Sequence, residues 1–394
     1  MSLSPDAVYL DAAATTPLDP EVLAAMLPYL REQFGNPGSL HRLGAAAARA
    51  VEEAREAVAA ALLCAPREVV FTSGGTEANA LALSGALLAG RARPRHVVTS
   101  AVEHPCVQEQ LALLAQREGV RVTRVPVGPD GTLDPQAVLA ALEPETALVS
   151  LMQVQNETGA LFPVEAIARA VKARRPDVLV HVDGVQGCGK LPPPGPEVDL
   201  YAISAHKLHG PKGAGALRVG PKVRLAPLVP GGGQERGLRG GTEAVPALVG
   251  LGVAVRLAAA RRVAWAAEAA ALGARLRTGL LALGAALNSP PDGLPSLVNA
   301  SFVGAPAEPL LHALEAREVY VSTGSACAAR QRKKSPTLQA MGLPAARIDG
   351  ALRFSFGRGV DAPAIERALA ALAEALSELG WSAPTPAGGE RVPC

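Results

Sequence analysis

The sequence predicts an α/β fold with a mostly parallel sheet covered by helices and a second, smaller α/β domain. Short runs rich in β-branched residues alternate with longer alanine-rich runs of helical character along most of the chain. This alternation is typical of a parallel sheet with helices on both faces. A long stretch rich in alanine and arginine follows, with new strand-like runs after it. The length of 394 residues also exceeds one typical domain.

The larger part consists of strand and helix candidates in alternation. Strands are predicted at Glu68–Thr72, His96–Ser100, Arg121–Val125, Ala147–Met152, Val178–Val182, Leu200–Ser204 and Gly215–Val219. Helices are predicted between most of them, at Glu77–Ala89, Pro105–Glu118, Pro135–Leu142 and Val164–Arg174. In such sheets ligands bind beyond the carboxyl ends of the strands, so that edge is where we expect a site.

The second domain begins with a predicted connecting helix from about Ala258 to Leu283. Strands at Leu297–Phe302 and Ala351–Ser355 and a last helix at Pro363–Leu379 complete it. We therefore expect a large domain over residues 16–260, a small domain over 1–15 and 261–382, and a flexible tail rich in Pro and Gly over 383–394.

Composition excludes several classes of protein. Apolar residues make up 49% of the chain and the net charge is +2, which gives no signal for direct nucleic-acid or membrane binding. No apolar run is long enough to span a bilayer and the N-terminus lacks a signal-peptide pattern, so a cytoplasmic location is expected. The five cysteines are odd in number and form no C-x-x-C pair, which argues against a disulfide framework and a structural zinc site.

The segment from Ser204 to Gly213 carries the strongest chemical signal. Arginine supplies almost all of the positive charge, yet Lys207 stands in a polar cluster just before a glycine-rich turn. Arginine cannot form an imine at neutral pH, whereas a lysine in such a setting is a candidate for covalent amine chemistry. If Lys207 holds a cofactor aldehyde, the chain should also provide a phosphate site, a partner for a pyridine nitrogen and a carboxylate clamp.

A phosphate site is predicted at Gly75 and Thr76, which follow a strand and open a helix. Glycine lets the backbone approach a ligand, and the first N–H groups of a helix favour an anion. Ser204 and His206 add donors next to Lys207. The alternative is an ordinary helix start capped by Thr76 or Ser73.

A ring-nitrogen partner is predicted at the end of a buried strand, where alternation places His181 and Asp183 on one face. Asp183 would pair with the pyridine nitrogen of pyridoxal phosphate, and Gln186 would donate to the ring hydroxyl. A helix cap by Asp183 is one alternative. A metal site is another, but it lacks a third ligand nearby, so no metal is predicted.

Three further loops and strands bear candidate residues. His104 follows a strand and would stack on a pyridine ring, although a histidine there is also typical of a cap. Asn156 would touch the ring or the substrate, or it belongs to an ordinary turn. Arg353 lies in an apolar strand and suits a substrate carboxylate, with a structural ion pair as the alternative and Arg358 as a competitor.

Cys327 lies among small residues, followed by the basic run Arg330 to Lys334. Such surroundings favour an accessible thiol and its thiolate form, which sulfur chemistry requires. The same charges are also common in solvated loops.

Together these residues resemble the NifS/IscS-type cysteine desulfurases, in the class V aminotransferase group of fold type I pyridoxal phosphate enzymes. The resemblance runs from Val8 to about Leu379. It includes Tyr9 to Pro17, Phe34 to His41, the Ser-Ala-His-Lys block ending at Lys207 and the Gly-Ser-Ala-Cys block ending at Cys327.

The resemblance implies a role for each candidate. Lys207 carries pyridoxal 5'-phosphate, Cys327 takes the persulfide sulfur, and His104 stacks on the cofactor ring. The implied cofactor-binding residues are Gly75, Thr76, Asp183, Gln186, Ser204 and His206, and the implied substrate-binding residues are Asn156 and Arg353. Thr242 would reach the phosphate of the other subunit in a homodimer.

The implied reaction converts L-cysteine to L-alanine and passes the sulfur to an acceptor protein, such as an iron–sulfur scaffold or a sulfur carrier. The basic run after Cys327 departs from the family pattern and suggests an acidic acceptor surface. Two alternatives stay open: a selenocysteine lyase or small amino-acid aminotransferase of the same fold, and a non-enzymatic sulfur-handling protein.

Overall fold

The computed structural model describes residues 4, 6–89, 95–324 and 334–382. The predicted tail at 383–394 and Cys327 lie outside the described residues. The strands are β1 (Val8–Tyr9), β2 (Val69–Thr72), β3 (His96–Ser100), β4 (Arg121–Val125), β5 (Thr146–Met152), β6 (Leu179–Asp183), β7 (Leu200–Ser204), β8 (Gly215–Val219), β9 (Ala286–Leu287), β10 (Leu297–Ser301), β11 (Val319–Tyr320) and β12 (Ala351–Ser355).

The α-helices cover both faces of the large sheet and pack around the small one. They are α1 (Pro20–Arg31), α2 (Arg42–Ala61), α3 (Gly75–Ala89), α4 (Pro105–Glu118), α5 (Pro135–Ala140), α6 (Val164–Arg174), α7 (Val245–Ala282), α8 (Ala307–Glu315), α9 (Pro336–Ala340), α10 (Ala345–Asp349) and α11 (Ala362–Glu378). Short 3-10 turns occur at Pro66–Glu68, Ala205–Lys207 and Gln234–Gly237.

The large sheet has seven strands in the order β2-β8-β7-β6-β5-β3-β4. Strands β7, β6, β5, β3 and β4 run parallel to one another. Strand β8 is antiparallel to both β2 and β7. This confirms the predicted α/β fold with a mostly parallel sheet. The predicted strands and helices of this part appear with bounds that differ by at most two residues.

Burial explains why these strands read as continuous apolar runs. All residues of β2, β3, β7 and β8 are buried, because helices cover both faces of the sheet. Helix α3 is buried along most of its length, from Ala78 to Leu87. Its apolar residues surround the whole helix, as expected for one enclosed between a sheet and other helices.

A second apolar core surrounds the small antiparallel sheet β12-β10-β9. The N-terminal strand β1 pairs with β11, and Val8 and Leu10 are buried in this second core. The two cores agree with the expected assignment of residues 1–15 and 261–382 to one unit, but the division into domains stays a prediction.

Helix α7 begins 13 residues earlier than the predicted start at Ala258, and it joins the two cores. Its first turns contain Gly250 and Gly252, which weaken a helix signal in the sequence. Both glycines are needed for close packing. A Cβ on Gly250 would lie 2.7 Å from Sδ of Met26, and one on Gly252 would lie 2.8 Å from Cα of Ala54.

In the described part of the chain, no helix is both long and apolar enough to cross a lipid bilayer. Cys64, Cys106 and Cys188 are free thiols. Helices α1 and α2, the short helices α8 to α10 and the two-residue strands were absent from the sequence prediction.

Candidate active site

A cavity of about 230 Å³ opens at the carboxyl ends of the large sheet's strands. It brings together most of the predicted site residues, which come from six separate places in the chain. The predicted residues that line it are Gly75, Thr76, His104, Asn156, Asp183, Gln186, Ser204, His206, Lys207 and Arg353. The site therefore lies where an open α/β sheet normally binds its ligand.

Lys207 lies on the short turn Ala205–Lys207 that follows β7, and its amine enters the cavity. The amine donates to the carbonyls of Ala13 and Ala14, the second at 2.8 Å. Burial, reinforced by the nearby positive charges of Arg353 and Lys190, lowers the pKa of Lys207 to about 7. A large share of the amine is therefore unprotonated and nucleophilic at neutral pH.

Asp183 is the last residue of β6 and is buried. Its Oδ1 accepts the backbone N–H of Val185 at 3.0 Å, and its Oδ2 accepts the amide of Asn79 at 2.8 Å. Burial raises the pKa of Asp183, while the His104 imidazole and these two donors act in the opposite direction. Asp183 is a buried acid held by two donors at the cavity wall.

His181 lies two residues before Asp183 but does not line the cavity. Its ring is fully buried between Ser150, at 2.9 Å from Nδ1, and Asn79, at 3.1 Å from Nε2. Burial lowers the pKa of His181 to about 3, so the ring is neutral. Among the described residues there is no cluster of three or more His, Cys, Asp or Glu side chains suited to a metal ion.

The start of α3 has the close backbone approach that an anion site needs. A Cβ on Gly75 would lie 2.6 Å from Val185 Cγ2 and 3.5 Å from Ser204 Cβ, so the helix start lies directly against these residues. At this helix start the Glu77 carboxylate accepts the Ser73 N–H at 2.9 Å. The Thr76 side chain lines the cavity.

His206 lies at the cavity wall, with Nδ1 3.2 Å from the Thr15 hydroxyl. Burial and the charge of Lys207 lower the pKa of His206 to about 4, so it is a neutral imidazole. A neutral ring can donate one hydrogen bond to an anion without adding charge.

His104 caps a helix, as one of its two predicted interpretations had it, and it also lies at the cavity. It caps α4, because Nδ1 accepts the Cys106 N–H at 3.2 Å, and its ring also lines the cavity. Burial lowers the pKa of His104.

Gln186 is held at the floor of the cavity. Its Nε2 donates to the Ala13 carbonyl at 2.9 Å, and its Oε1 lies 3.5 Å from the amine of Lys190. The same Ala13 carbonyl accepts from Lys207, so Gln186 and Lys207 share one anchor.

Arg353 enters the cavity from β12 of the small sheet. One of its terminal nitrogens donates to Asp11 at 2.6 Å and the other to the Asn156 carbonyl at 3.0 Å. Its Nε is buried and has no partner within the described residues. The predicted competitor, Arg358, pairs with Asp19 at 3.1 Å and does not line this cavity.

One predicted residue that the structure describes does not line the cavity: Thr242, which is exposed. Cys327 lies outside the described residues, but the residues on both sides of its segment lie beside the site. Ser322 pairs with the backbone of Arg353, and Ser335 donates to the buried carboxylate of Glu157 at 2.6 Å.

Sequence reasoning missed four residues of this region: Asn79, Cys106, Lys190 and Asp11. Asn79 lies one helical turn after Thr76, so helical spacing could have placed it on the cavity face. Cys106 lines the cavity two residues after His104. No local pattern indicates that Asp11 meets Arg353 across 342 positions.

The fold and the site together define a class of protein. A buried lysine amine and a buried carboxylate at the carboxyl edge of a mostly parallel sheet are what enzymes with a lysine-bound pyridoxal phosphate require. The model of the aminotransferase class-V family matches residues 8–367.

Individual relatives narrow this class. The chain is 44% identical to a cysteine desulfurase from Cereibacter sphaeroides, over 98% of this chain and 99% of that protein. It is 42% identical to the cysteine desulfurase IscS of Anaeromyxobacter dehalogenans, over 96% and 94% of the two chains. A solved NifS-like protein superposes with a TM-score of 0.89 at 36% identity, over 94% of this chain and all of that one. The chain thus belongs to the aminotransferase class-V family and, within it, to the pyridoxal-phosphate-dependent cysteine desulfurases, as the sequence resemblance predicted.

Proposed function

We propose that Lys207 carries pyridoxal 5'-phosphate in this cavity, and that Cys327 receives the sulfur when L-cysteine is converted to L-alanine. The observation that carries the proposal is the meeting of three groups in one cavity: the Lys207 amine, the buried Asp183 carboxylate and the Arg353 guanidinium. An amine, an acid and a cationic fork are the groups that an amino-acid substrate and a pyridine cofactor need.

The donor set fits the cofactor. The start of α3 and the side chains of Thr76, Ser204 and His206 would hold the phosphate, with Gly75 allowing the close approach. Asp183 would pair with the ring nitrogen, Gln186 would donate to the ring hydroxyl, and His104 would stack on the ring. When bound, pyridoxal phosphate delocalises the electron pair that stays on the substrate α-carbon after its proton has left.

Lys207 would act twice. Its Nζ, whose pKa is lowered to about 7, would hold the cofactor as a nucleophile. When free, the same Nζ would accept the proton of the substrate α-carbon. Asp183 would present a negative charge to the ring nitrogen.

Arg353 would bind the substrate carboxylate. Two of its nitrogens are already held by Asp11 and Asn156, which fixes the direction of the fork. Its buried Nε has no partner in the described part of the chain, and a carboxylate would satisfy it. Asn156 would contribute to substrate binding, because it lines the cavity and its carbonyl holds the Arg353 guanidinium.

The thiolate of Cys327 would attack the substrate sulfur. A new S–S bond forms on Cys327 while the substrate C–S bond breaks, and the electron pair of that bond stays with the carbon that becomes the alanine methyl group. The support for Cys327 is its sequence block and the position of Ser322 and Ser335, on either side of the segment, next to Arg353 and Glu157.

A Cys327→Ala variant tests this assignment. It should bind the cofactor as the wild type does but form no persulfide from L-cysteine. Cys64→Ala is the control, because Cys64 is a free thiol away from the cavity. Unchanged persulfide formation in Cys327→Ala, or its loss in Cys64→Ala, would contradict the proposal. Alanine formed from cysteine without any keto acid separates a desulfurase from an aminotransferase.

We also propose a homodimer in which Thr242 reaches the partner's phosphate site. Helix α1 exposes Leu23, Leu27 and Leu30 on one face, by 43%, 42% and 57%, and Phe34 is exposed by 75%. Single-chain proteins rarely leave such a continuous apolar face in water.

Replacing Leu27 and Phe34 by Asp should give monomers in light scattering, whereas Leu281→Asp, an exposed leucine at the far end of α7, should not. A wild-type protein that is monomeric at micromolar concentration would rule the dimer out.

The sulfur acceptor is proposed to be a protein with an acidic surface, such as an iron–sulfur scaffold or a sulfur carrier. The support is the basic run from Arg330 to Lys334. Within it, only Lys334 is described, and it pairs with Asp349 at 2.8 Å. Charge reversal at Arg332 and Lys333 should slow transfer to such a protein but leave alanine formation unchanged. The cytoplasmic location stays a prediction.

A further inference from the structure

A chain of hydrogen bonds in the cavity wall joins Asp183 to His104 through Asn79 and Cys106. Asn79 is 1% exposed. Its Oδ1 lies 3.1 Å from Nε2 of His181, and its Nδ2 lies 2.8 Å from Oδ2 of Asp183 and 3.4 Å from Sγ of Cys106. The Cys106 sulfur is in turn 3.0 Å from Nδ1 of His104. Asn79 thus uses both of its amide hydrogens and its carbonyl oxygen on groups around the site.

The chemistry of the amide fixes the direction of each bond on the Asp183 side. An ionised carboxylate only accepts, so the NH₂ group of Asn79 faces Asp183 and its carbonyl oxygen faces His181. That oxygen can only accept, so Nε2 of His181 carries the proton. Nδ1 of His181 then accepts from the Ser150 hydroxyl at 2.9 Å. His181 is thereby a neutral donor with one defined tautomer, in agreement with its pKa of about 3.

The His104 side follows the same logic. Nδ1 of His104 already accepts the backbone N–H of Cys106 at 3.2 Å. The thiol of Cys106 stays protonated, because burial raises its pKa to about 12, and its sulfur lies 3.0 Å from the same Nδ1. The second hydrogen of the Asn79 amide donates to the sulfur. Neutral His104 must therefore carry its proton on Nε2.

We propose that Asn79 is a positioning residue that holds Asp183 and His104 in one hydrogen-bonded unit anchored on His181. This rests on the proposed function, in which Asp183 pairs with the ring nitrogen and His104 stacks on the ring. Asn79 supplies Asp183 with a donor that favours its ionised form, and it donates its second hydrogen to the Cys106 sulfur, which lies beside Nδ1 of His104. One buried side chain thus touches both Asp183 and the thiol that contacts His104.

Four variants and two measurements test the proposal. Asn79→Leu and His181→Leu remove the donors while keeping a buried side chain of similar size. His181→Gln keeps a donor toward Asn79 and an acceptor toward Ser150, with no ring to titrate. Ser84→Ala is the matched control, because Ser84 is buried on the same helix and loses only a bond from Gln110, which is 2.6 Å away. The measurements are titration of the cofactor-free protein with pyridoxal 5'-phosphate and ¹⁵N NMR of the histidine rings.

Asn79→Leu and His181→Leu should each raise the apparent Kd for pyridoxal 5'-phosphate by about tenfold or more, the effect of one hydrogen bond to a charged group. His181→Gln and Ser84→Ala should stay within about threefold of the wild type, since neither changes the donor to Asp183. The NMR spectrum of the cofactor-free wild type should show Nδ1 of His104 unprotonated and Nε2 protonated.

Two results would overturn the proposal. One is equal affinity for the cofactor in His181→Leu and His181→Gln, both variants being folded. The other is a proton on Nδ1 of neutral His104. The NMR result needs no cofactor, so it judges the hydrogen-bond unit even if the wild-type protein fails to bind pyridoxal 5'-phosphate, a failure that would instead refute the proposed function.

Discussion

The large and small sheets each pack against an apolar core, but they contribute different side chains to the cavity. Three strands of the large sheet, β2, β6 and β7, lead directly into cavity-lining segments at Gly75, Asp183 and Lys207. The small sheet consists mainly of apolar strands, and it sends only one side chain, Arg353, into the cavity. We infer a division of labour in which the large sheet holds the cofactor and the small sheet recognises the substrate carboxylate.

Loss of Lys207, which follows β7 of the large sheet, should have the largest effect on activity. Lys207→Ala removes both the nucleophile and the base at the substrate α-carbon, so alanine formation from L-cysteine should fall by about 10³-fold or more. Lys222→Ala, which changes an exposed lysine away from the cavity, serves as the control. Retention of more than a tenth of the activity in Lys207→Ala would refute the large sheet's role in this division.

The small sheet's arginine should affect the substrate and not the cofactor. Arg353→Leu removes the fork, so kcat/KM for L-cysteine should fall by about 100-fold, mainly through KM, because a buried charged contact of this type contributes about 2–5 kcal/mol. Affinity for pyridoxal phosphate should stay close to that of the wild type. Arg358→Leu removes a half-buried arginine that pairs with Asp19 outside the cavity and should leave KM unchanged. Equal effects of the two variants would remove the special role of Arg353.

His181 should make the large sheet sensitive to acid. Its folded pKa of about 3 lies below the ordinary value of 6.5, so the unfolded chain binds more protons between these two values. Stability therefore falls as the pH drops below 6.5. At pH 5 His181→Gln should gain about 2 kcal/mol of unfolding free energy relative to the wild type, compared with their difference at pH 7. Denaturant unfolding at the two pH values measures this, and an unchanged difference would mean that His181 is not neutral in the folded protein.

Gly75 should give the smallest effect. In Gly75→Ala the new methyl group meets Val185 Cγ2, the end of a side chain that can shift, and only then Ser204. We expect a cost of about 1 kcal/mol in cofactor binding, or less than tenfold in apparent Kd, with KM for L-cysteine unchanged. A change in KM alone would show that the two sheets are not separate in function.

The large sheet and its cavity were largely predictable from the sequence. Runs rich in β-branched residues with polar residues at their ends give a strong pattern. Asp183 ends such a strand, and Gly75 and Lys207 lie three residues beyond the ends of two others. The contact between Glu77 and the Ser73 N–H was not predicted, because it depends on the turn that the chain makes before α3.

Other features have no local signal. Strands β1, β9 and β11 have two residues each, which is too short for a period. Helix α1 contains Pro28, and an internal proline argues against a helix in the sequence. The bond between Asn79 and Asp183 joins residues 104 positions apart, and only the folded chain brings them together.

The most direct test of the central claim is to locate the cofactor on the chain. The purified protein is loaded with pyridoxal 5'-phosphate and reduced with borohydride, and its peptides are analysed by mass spectrometry. We predict one pyridoxyl group, attached to Lys207. A label on Lys190, which lies close to Lys207, or on Lys212, or no label at all, would contradict the account.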